Sequence, residues 1–274
     1  MALSATAFAY VQQLLRAESG MALSAGKEYL VEARLAPLAE REGLASVAAL
    51  VDRLPAAAPS LRADVVEAMT TNETSFFRDV HPFDALRDEV LPTVLAANGG
   101  RRLRLWSAAA STGQEAYSLA MLVAQHFQHV PDVQILATDL SRDVLARAAA
   151  GRFSQLEVNR GLPAAMLVRW FERSGAEYHV RDELRRRVEF RQLNLSRPWP
   201  PLPQMDVVLL RNVLIYFDAP AKREVLAQVS RVLAPGGVLF LGGAETTYGL
   251  DDGWERVQVG RTSFYRPAAG GEMP

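Results

Sequence analysis

Apolar residues recur at helical spacing from Ala5 to about Met69, in AFAYVQQLLRAE, YLVEARLAPLAEREG, SVAALVDRL and, after the break LPAAAPS, ADVVEAM. Side chains three and four positions apart share a helix face, so this stretch predicts a helical domain over residues 1–69. After about Arg101 the period changes. Short β-rich runs alternate with amphipathic helical segments: RLRLWSA, QEAYSLAMLVAQHF, VQILATDL, SRDVLARAAAG, DVVLLRNVLIYF, PAKREVLAQVSRVL and VLFLGG, with VQVGRTSFYR to finish. The alternation predicts an α/β domain over residues 70–274, its mostly parallel sheet covered on both faces and ending in an antiparallel run. Between Gly151 and Arg197 the rhythm breaks. The pieces EYHV and VEFRQ are too short for another crossover unit, which points to a small antiparallel β insertion at about residues 175–193. The tail PAAGGEMP reads as mobile.

Length and composition narrow the classes. At 274 residues and 49% apolar content, the chain can fill a large core and a smaller one. A formal net charge of −1 lacks the basic excess that a general nucleic-acid binder uses to neutralise phosphates. The absence of cysteine excludes disulfides, thiolate metal sites and cysteine nucleophiles. The first residues lack a basic leader with a long apolar core, and no apolar run approaches the roughly 18 residues of a membrane span. A cytoplasmic protein without membrane insertion is expected.

In a doubly wound sheet, ligands sit beyond the carboxyl ends of the strands, so polar residues closing each run are the candidate site. Here they are Ser111, Thr112, Gly113 and Glu115 after the first run, Asp139 after the second, Asn194 after the third, and Arg211 and Asn212 after the fourth. Asp139 stands at the separation expected of a carboxylate that accepts from both ribose hydroxyls. It is also placed to cap the next helix, and position alone does not choose. The turn AAASTGQE lacks the G-x-G-x-x-G spacing that seats a pyrophosphate, and Glu115 would repel one. A carboxylate there suits a cationic ligand, which favours S-adenosylmethionine over a nicotinamide cofactor.

The segments TNETSFFRD (71–79), LWSAAASTGQEAYSLAM, ILATDLS, Asn194-Leu195, LLRNVLIYFD and LAPGGVLFLGGAE together resemble the CheR family of chemotaxis receptor methyltransferases. The resemblance covers nearly the whole chain. It implies a class I S-adenosylmethionine-dependent methyltransferase, with a Rossmann-like, mostly parallel sheet, that esterifies glutamate side chains on the cytoplasmic helical region of methyl-accepting chemoreceptors. Carried over by motif, the donor would be held by Asn72, Thr74, Arg78, Gly113, Glu115, Asp139, Asn194, Leu195, Arg211 and Asn212. Phe76 and Phe77 are expected in the core. The chain departs from the family where glycine and cysteine are common and it has Ala109 and Ala110, and where two acids are common and it has Gln114-Glu115.

A glutamate nucleophile is already ionised near neutral pH, its ordinary pKa being about 4.3, so methyl transfer to it needs no general base. Arg78 and Tyr216 are the expected catalytic residues: a guanidinium orients a carboxylate through paired donors and a phenol adds another hydrogen bond. Arg78 has three candidate partners, namely the donor's carboxylate, the acceptor's, or Asp79, and Tyr216 has the alternative of a satisfied core position. Lys27, Arg34 and Arg41 recur at a spacing that puts them near one stripe. That stripe is either a solvated face or, given acidic receptor helices, a docking surface. The short turn ERSGAEYHV speaks against binding of a receptor-tail pentapeptide. A monomer is expected, with no metal. The competing class is a non-catalytic donor- or receptor-binding module of the same fold.

Overall fold

The computed structural model describes residues 3–268, and the expectation for the tail falls partly on residues 269–274, outside them. The chain opens on α1 (Ala5–Ser19), α2 (Glu28–Arg41), α3 (Val47–Arg53) and α4 (Pro59–Met69). The Ser4 and Ser46 hydroxyls cap α1 and α3, and Gly20 ends α1 in the left-handed conformation. Pro37 removes one amide from α2 without breaking it. The apolar stripes of these helices close a core of their own around Val11, Val31, Leu35, Leu50 and Val65.

A second helical segment follows, α5 (His81–Ala85) running through a π turn at Leu86–Val90 into α6 (Leu91–Ala97). The α/β part comprises β1 (Leu103–Ala108), α7 (Gln114–His126), β2 (Val133–Asp139), α8 (Arg142–Ala150), β3 (Arg152–Ser154), α9 (Gln155–Asn159), α10 (Ala164–Trp170), β4 (Phe171–Ser174) and β5 (Glu177–Val180). It continues with α11 (Asp182–Arg185), β6 (Val188–Gln192), β7 (Met205–Leu210), a 3-10 turn at Leu214–Tyr216, α12 (Ala219–Val232), β8 (Leu233–Leu241), β9 (Trp254–Val259) and β10 (Thr262–Pro267).

The main sheet has seven strands in the order β6-β2-β1-β7-β8-β10-β9, parallel from β6 to β8 and antiparallel where β10 meets its neighbours. Successive side chains of a strand point to opposite faces. Accordingly Leu105, Ile135, Val207 and Phe240 enter one core, while Trp106, Leu136, Val208 and Leu239 enter another on the far side. Strand order reverses between β1 and β7, and a crevice opens there at the carboxyl ends. Phe76 and Phe77 are core residues, as expected; Phe76 packs edge-on against Phe153 and Phe171 at 5.1 and 5.6 Å.

The insertion differs from its expected place. The small antiparallel sheet has the order β3-β5-β4 and spans residues 152–180. VEFRQ is not in it. That segment is β6, the edge strand of the main sheet, paired in parallel with β2 from Ile135↔Val188 to Asp139↔Gln192. Val188 and Phe190 reach the core while Glu189 and Arg191 face solvent, so an edge position accommodates a strand that is half charged. No helix among the described residues is long and apolar enough to cross a membrane.

Candidate active site

A cleft lies at the reversal of strand order, the place where an open sheet of this kind takes its ligand. Thr74, Arg78, Glu115, Asp139, Asn194, Leu195, Arg211, Asn212 and Tyr216 all line it. These residues come from separate places in the sequence and are brought together because the loops after the strands, the first turn of α7 and the segment before α5 meet at the carboxyl ends of the sheet.

The turn after β1 builds the floor. Ala109 and Ser111 adopt positive φ of 62° and 51°, and both line the cleft. Ser111 N–H donates to Asp139 Oδ2 at 2.8 Å, and Ser141 N–H donates to Oδ1 at 3.0 Å. The cap of α8 is the Ser141 hydroxyl, which accepts from Val144 N–H. Asp139 is therefore not the cap. Its carboxylate is buried at the cleft wall and is an acceptor only, the chemistry a ribose diol requires. Burial pushes the Asp139 carboxyl up from its ordinary value, against the pull of the Ser141 and Ser111 amides.

Two expected donor residues stand elsewhere. Gly113 opens α7 at φ 93° but is absent from the cleft wall; a Cβ there would meet Ala148 Cβ at 2.9 Å. Its small size serves the packing of α7 against α8. Asn72 lines a neighbouring groove with Thr112 and Gln114, and its carbonyl accepts from the Ser111 hydroxyl at 2.8 Å. Asn72 thus holds the floor through its backbone.

Glu115 and Arg211 meet beneath the cleft. Glu115 accepts from the Ser107 hydroxyl and from Arg211 Nη1, each at 2.8 Å. Arg211 Nη2 donates to the Arg78 carbonyl at 2.9 Å and to Asp79 Oδ2 at 2.7 Å. Burial pushes the Glu115 carboxyl up, with the Arg211 guanidinium pulling it back. Glu115 is hence not the free carboxylate its position in the sequence suggests. Asp79 adds a second carboxylate to Arg211, and the Arg78 guanidinium also lies close enough to act on Glu115.

Arg78 donates to the Glu73 carbonyl at 3.1 Å and makes no ion pair with Asp79, which Arg211 takes instead. Tyr216, half-buried, hydrogen-bonds through its phenol to none of the described residues. A guanidinium and a phenol thus face the same opening. The loop carrying Tyr216 is held by Glu245, whose carboxylate accepts from the amides of Asn212 (2.7 Å), Ile215 (3.2 Å) and Gly242 (2.7 Å). The motif GGAE contained that residue, but nothing in its spacing assigned it a task.

The helical domain supplies part of the remaining wall through Ser19 and Met21, and the segment after it supplies Thr70 and Thr71. Ala22 N–H donates to the Tyr216 carbonyl at 2.8 Å, and Asn194 Nδ2 donates to the Glu18 carbonyl at 2.6 Å. The Asn194 side chain is consequently a tie between domains, with its Oδ1 accepting from Ser196. The basic stripe is largely engaged as well. Arg34 donates to the carbonyls of Met69 and Thr70 and to Thr71 Oγ1, Arg41 pairs with Asp64, and Lys27 stands over the Tyr29 ring.

Comparison with known proteins agrees with this layout. Residues 72–262 match the family description "CheR methyltransferase, SAM binding domain", and residues 6–70 match "CheR methyltransferase, all-alpha domain". The chain is 44% identical over 265 residues to chemotaxis protein methyltransferase 1 of Pseudomonas aeruginosa, covering 94% of this chain and 97% of that one. It is 41% identical over 266 residues to chemotaxis protein methyltransferase Cher2 of Pseudomonas putida, with the same coverage. Identity to chemotaxis protein methyltransferase 1 of Vibrio cholerae is 40% over 260 residues, 93% of this chain and 94% of that one.

Proposed function

The chain belongs to the CheR methyltransferase family, and from that premise we propose that it esterifies glutamate side chains on the cytoplasmic helices of chemoreceptors, forming glutamate 5-O-methyl esters for sensory adaptation. The methyl donor is S-adenosylmethionine, which supplies an electrophilic methyl carbon on a sulfonium. One observation carries the assignment: a buried carboxylate, Asp139, and the Glu115–Arg211 pair share a cleft with an arginine, Arg78, and a phenol, Tyr216.

The residues fit that donor. Asp139 would accept from the ribose hydroxyls. Leu193 and Leu195 offer an apolar surface beside it for the adenine. Arg211 binds Glu115 and holds the Arg78–Asp79 segment in place. Catalysis is then a matter of alignment and water exclusion, which in favourable systems contribute roughly 7–11 kcal/mol. Arg78 holds the acceptor carboxylate through paired N–H donors, and the Tyr216 hydroxyl steadies the oxygen that attacks. Neither residue removes a proton.

Partner selection follows the charges. Lys27 is the member of the basic stripe most available to acidic receptor helices, with Arg34 and Arg41 adding field while bound within the domain. The β4–β5 hairpin turns in two residues, Gly175 and Ala176, so receptors are engaged without a tail peptide. The enzyme acts in the cytoplasm as a monomer, its work divided between a receptor-facing helical domain (1–69) and a donor-binding domain (70–274).

The test is a methylation assay on receptor cytoplasmic fragments with a labelled methyl donor. Base-labile label on glutamate is expected, with Arg78→Ala and Tyr216→Phe each lowering turnover. Donor binding without any label would leave a non-catalytic binding module instead.

A further inference from the structure

We infer that Glu245 is a positioning residue for methyl transfer, acting through the 3-10 turn that carries Tyr216. The inference rests on the role given above to Tyr216. The loops leaving β7 and β8 are adjacent because those strands pair in parallel up to Leu210↔Leu241. The Glu245 carboxylate spans the gap. Its Oε2 accepts from Asn212 N–H on one loop and from Gly242 N–H on its own, both at 2.7 Å, while Oε1 accepts from Ile215 N–H at 3.2 Å. Ile215 is the middle residue of the turn Leu214–Tyr216.

Two further features show that this junction is built closely. Asn212 adopts a φ of 59°, the left-handed conformation that asparagine enters more readily than most residues, which turns the loop sharply at the end of the strand. A Cβ at Gly242 would sit 2.7 Å from Asn212 Nδ2 and 2.8 Å from Asn212 N, so the two loops touch at backbone distance. Among the described residues Glu245 has no ion-pair partner. Its charge is balanced by the three amides, and hydrogen bonds to an ionised acceptor are the strong ones. One side chain therefore fixes the start of the loop, at the donor-facing Asn212, and its end, at Tyr216.

Glu245→Gln preserves shape but replaces one acceptor oxygen by a donor, which must face an amide N–H. In steady-state methylation of a receptor fragment, kcat should fall about 10- to 100-fold while KM for the receptor stays within about threefold. Glu245→Asp, which keeps the charge, should recover part of the loss. On a Tyr216→Phe background the same Glu245→Gln change should cost less than about threefold, because the residue it positions is already disabled. Glu245→Gln at wild-type turnover overturns the inference. So does an equal loss in both backgrounds, which marks a general structural role. Wild-type turnover in Tyr216→Phe alone overturns the role of Tyr216, and with it this route for Glu245. If the wild-type chain labels no glutamate, the proposed function fails separately. The loop role is then read from amide hydrogen exchange at Asn212 and Ile215, which should speed at least about tenfold in Glu245→Gln; unchanged exchange overturns it.

Discussion

Arg211 Nη1 lies 2.8 Å from Glu115 Oε2, joining the end of β7 to the first turn of α7 beneath the cleft. Both side chains are buried, and the same guanidinium reaches Asp79 and the Arg78 carbonyl. Breaking a buried pair from one side strands the other charge. Arg211→Met should therefore destabilise the protein by about 3–5 kcal/mol, and Glu115→Gln combined with Arg211→Met should cost less than Arg211→Met alone. Chemical denaturation of the two variants measures this. A double variant less stable than the Arg211→Met single would contradict the pairing.

Ala109 holds a left-handed conformation at a position where the family often has glycine. An L-residue there costs roughly 1–2 kcal/mol, of which glycine's extra freedom in the unfolded chain returns about 0.5–1. Ala109→Gly should stabilise the protein by about 0.5–1 kcal/mol and leave donor affinity equal or better, since the lost methyl lines the cleft. Ser111→Gly is the contrast. It relieves a similar φ but deletes the hydroxyl that donates to the Asn72 carbonyl, and should show no gain in thermal midpoint.

Asp139 should make donor binding depend on pH. Burial raises its carboxyl above the usual value of about 3.9, whereas ribose hydroxyls donating to it favour the ionised form and bring it down. Binding then releases protons between the two values. Donor affinity should rise with pH across that window and level off above it, and the slope should vanish in Asp139→Asn. In the free protein the sign is opposite: a raised carboxyl favours folding below its unfolded pKa, and that contribution is lost as pH rises through the folded value. Calorimetry in buffers of different ionisation enthalpy counts the protons, and a null count at every pH would remove Asp139 from the ribose.

Arg34 links α2 to the segment that borders the donor cleft. Arg34→Ala should weaken binding of S-adenosylhomocysteine on the order of tenfold with no receptor present, since it frees the Met69, Thr70 and Thr71 contacts. Lys27→Ala should leave that affinity within about twofold and raise only the receptor KM, most clearly at low salt. Unchanged donor affinity in Arg34→Ala would return Arg34 to the docking stripe alone.

The runs that became β1, β2, β7 and β8 were legible because each is buried on both faces and reads as a nearly continuous apolar stretch. The edge strand β6 was not. Its alternate Glu189 and Arg191 belong to solvent, so five residues carry too little apolar signal to separate a sheet edge from an insertion. Strand-end polarity pointed to most of the cleft lining, since polar side chains at the carboxyl ends of buried strands stand out against the apolar runs they close. What it could not assign was which group each side chain answers. Arg211 and Asn194 line the cleft as expected, yet their hydrogen bonds go to Glu115 and to Glu18, partners 96 and 176 positions away in the chain. Gly113 shows the same limit from the other direction: a glycine at a ligand turn was there for a neighbouring helix.

The placing of Ser19 and Met21 on the donor cleft has an evolutionary consequence. A helical domain that only chose receptors could be exchanged between paralogues like an adaptor, leaving the chemistry untouched. Here the adaptor is also part of the vessel. Recombination at residue 70 would transmit donor affinity together with receptor choice, so the two properties should change in step across natural variants rather than drift independently.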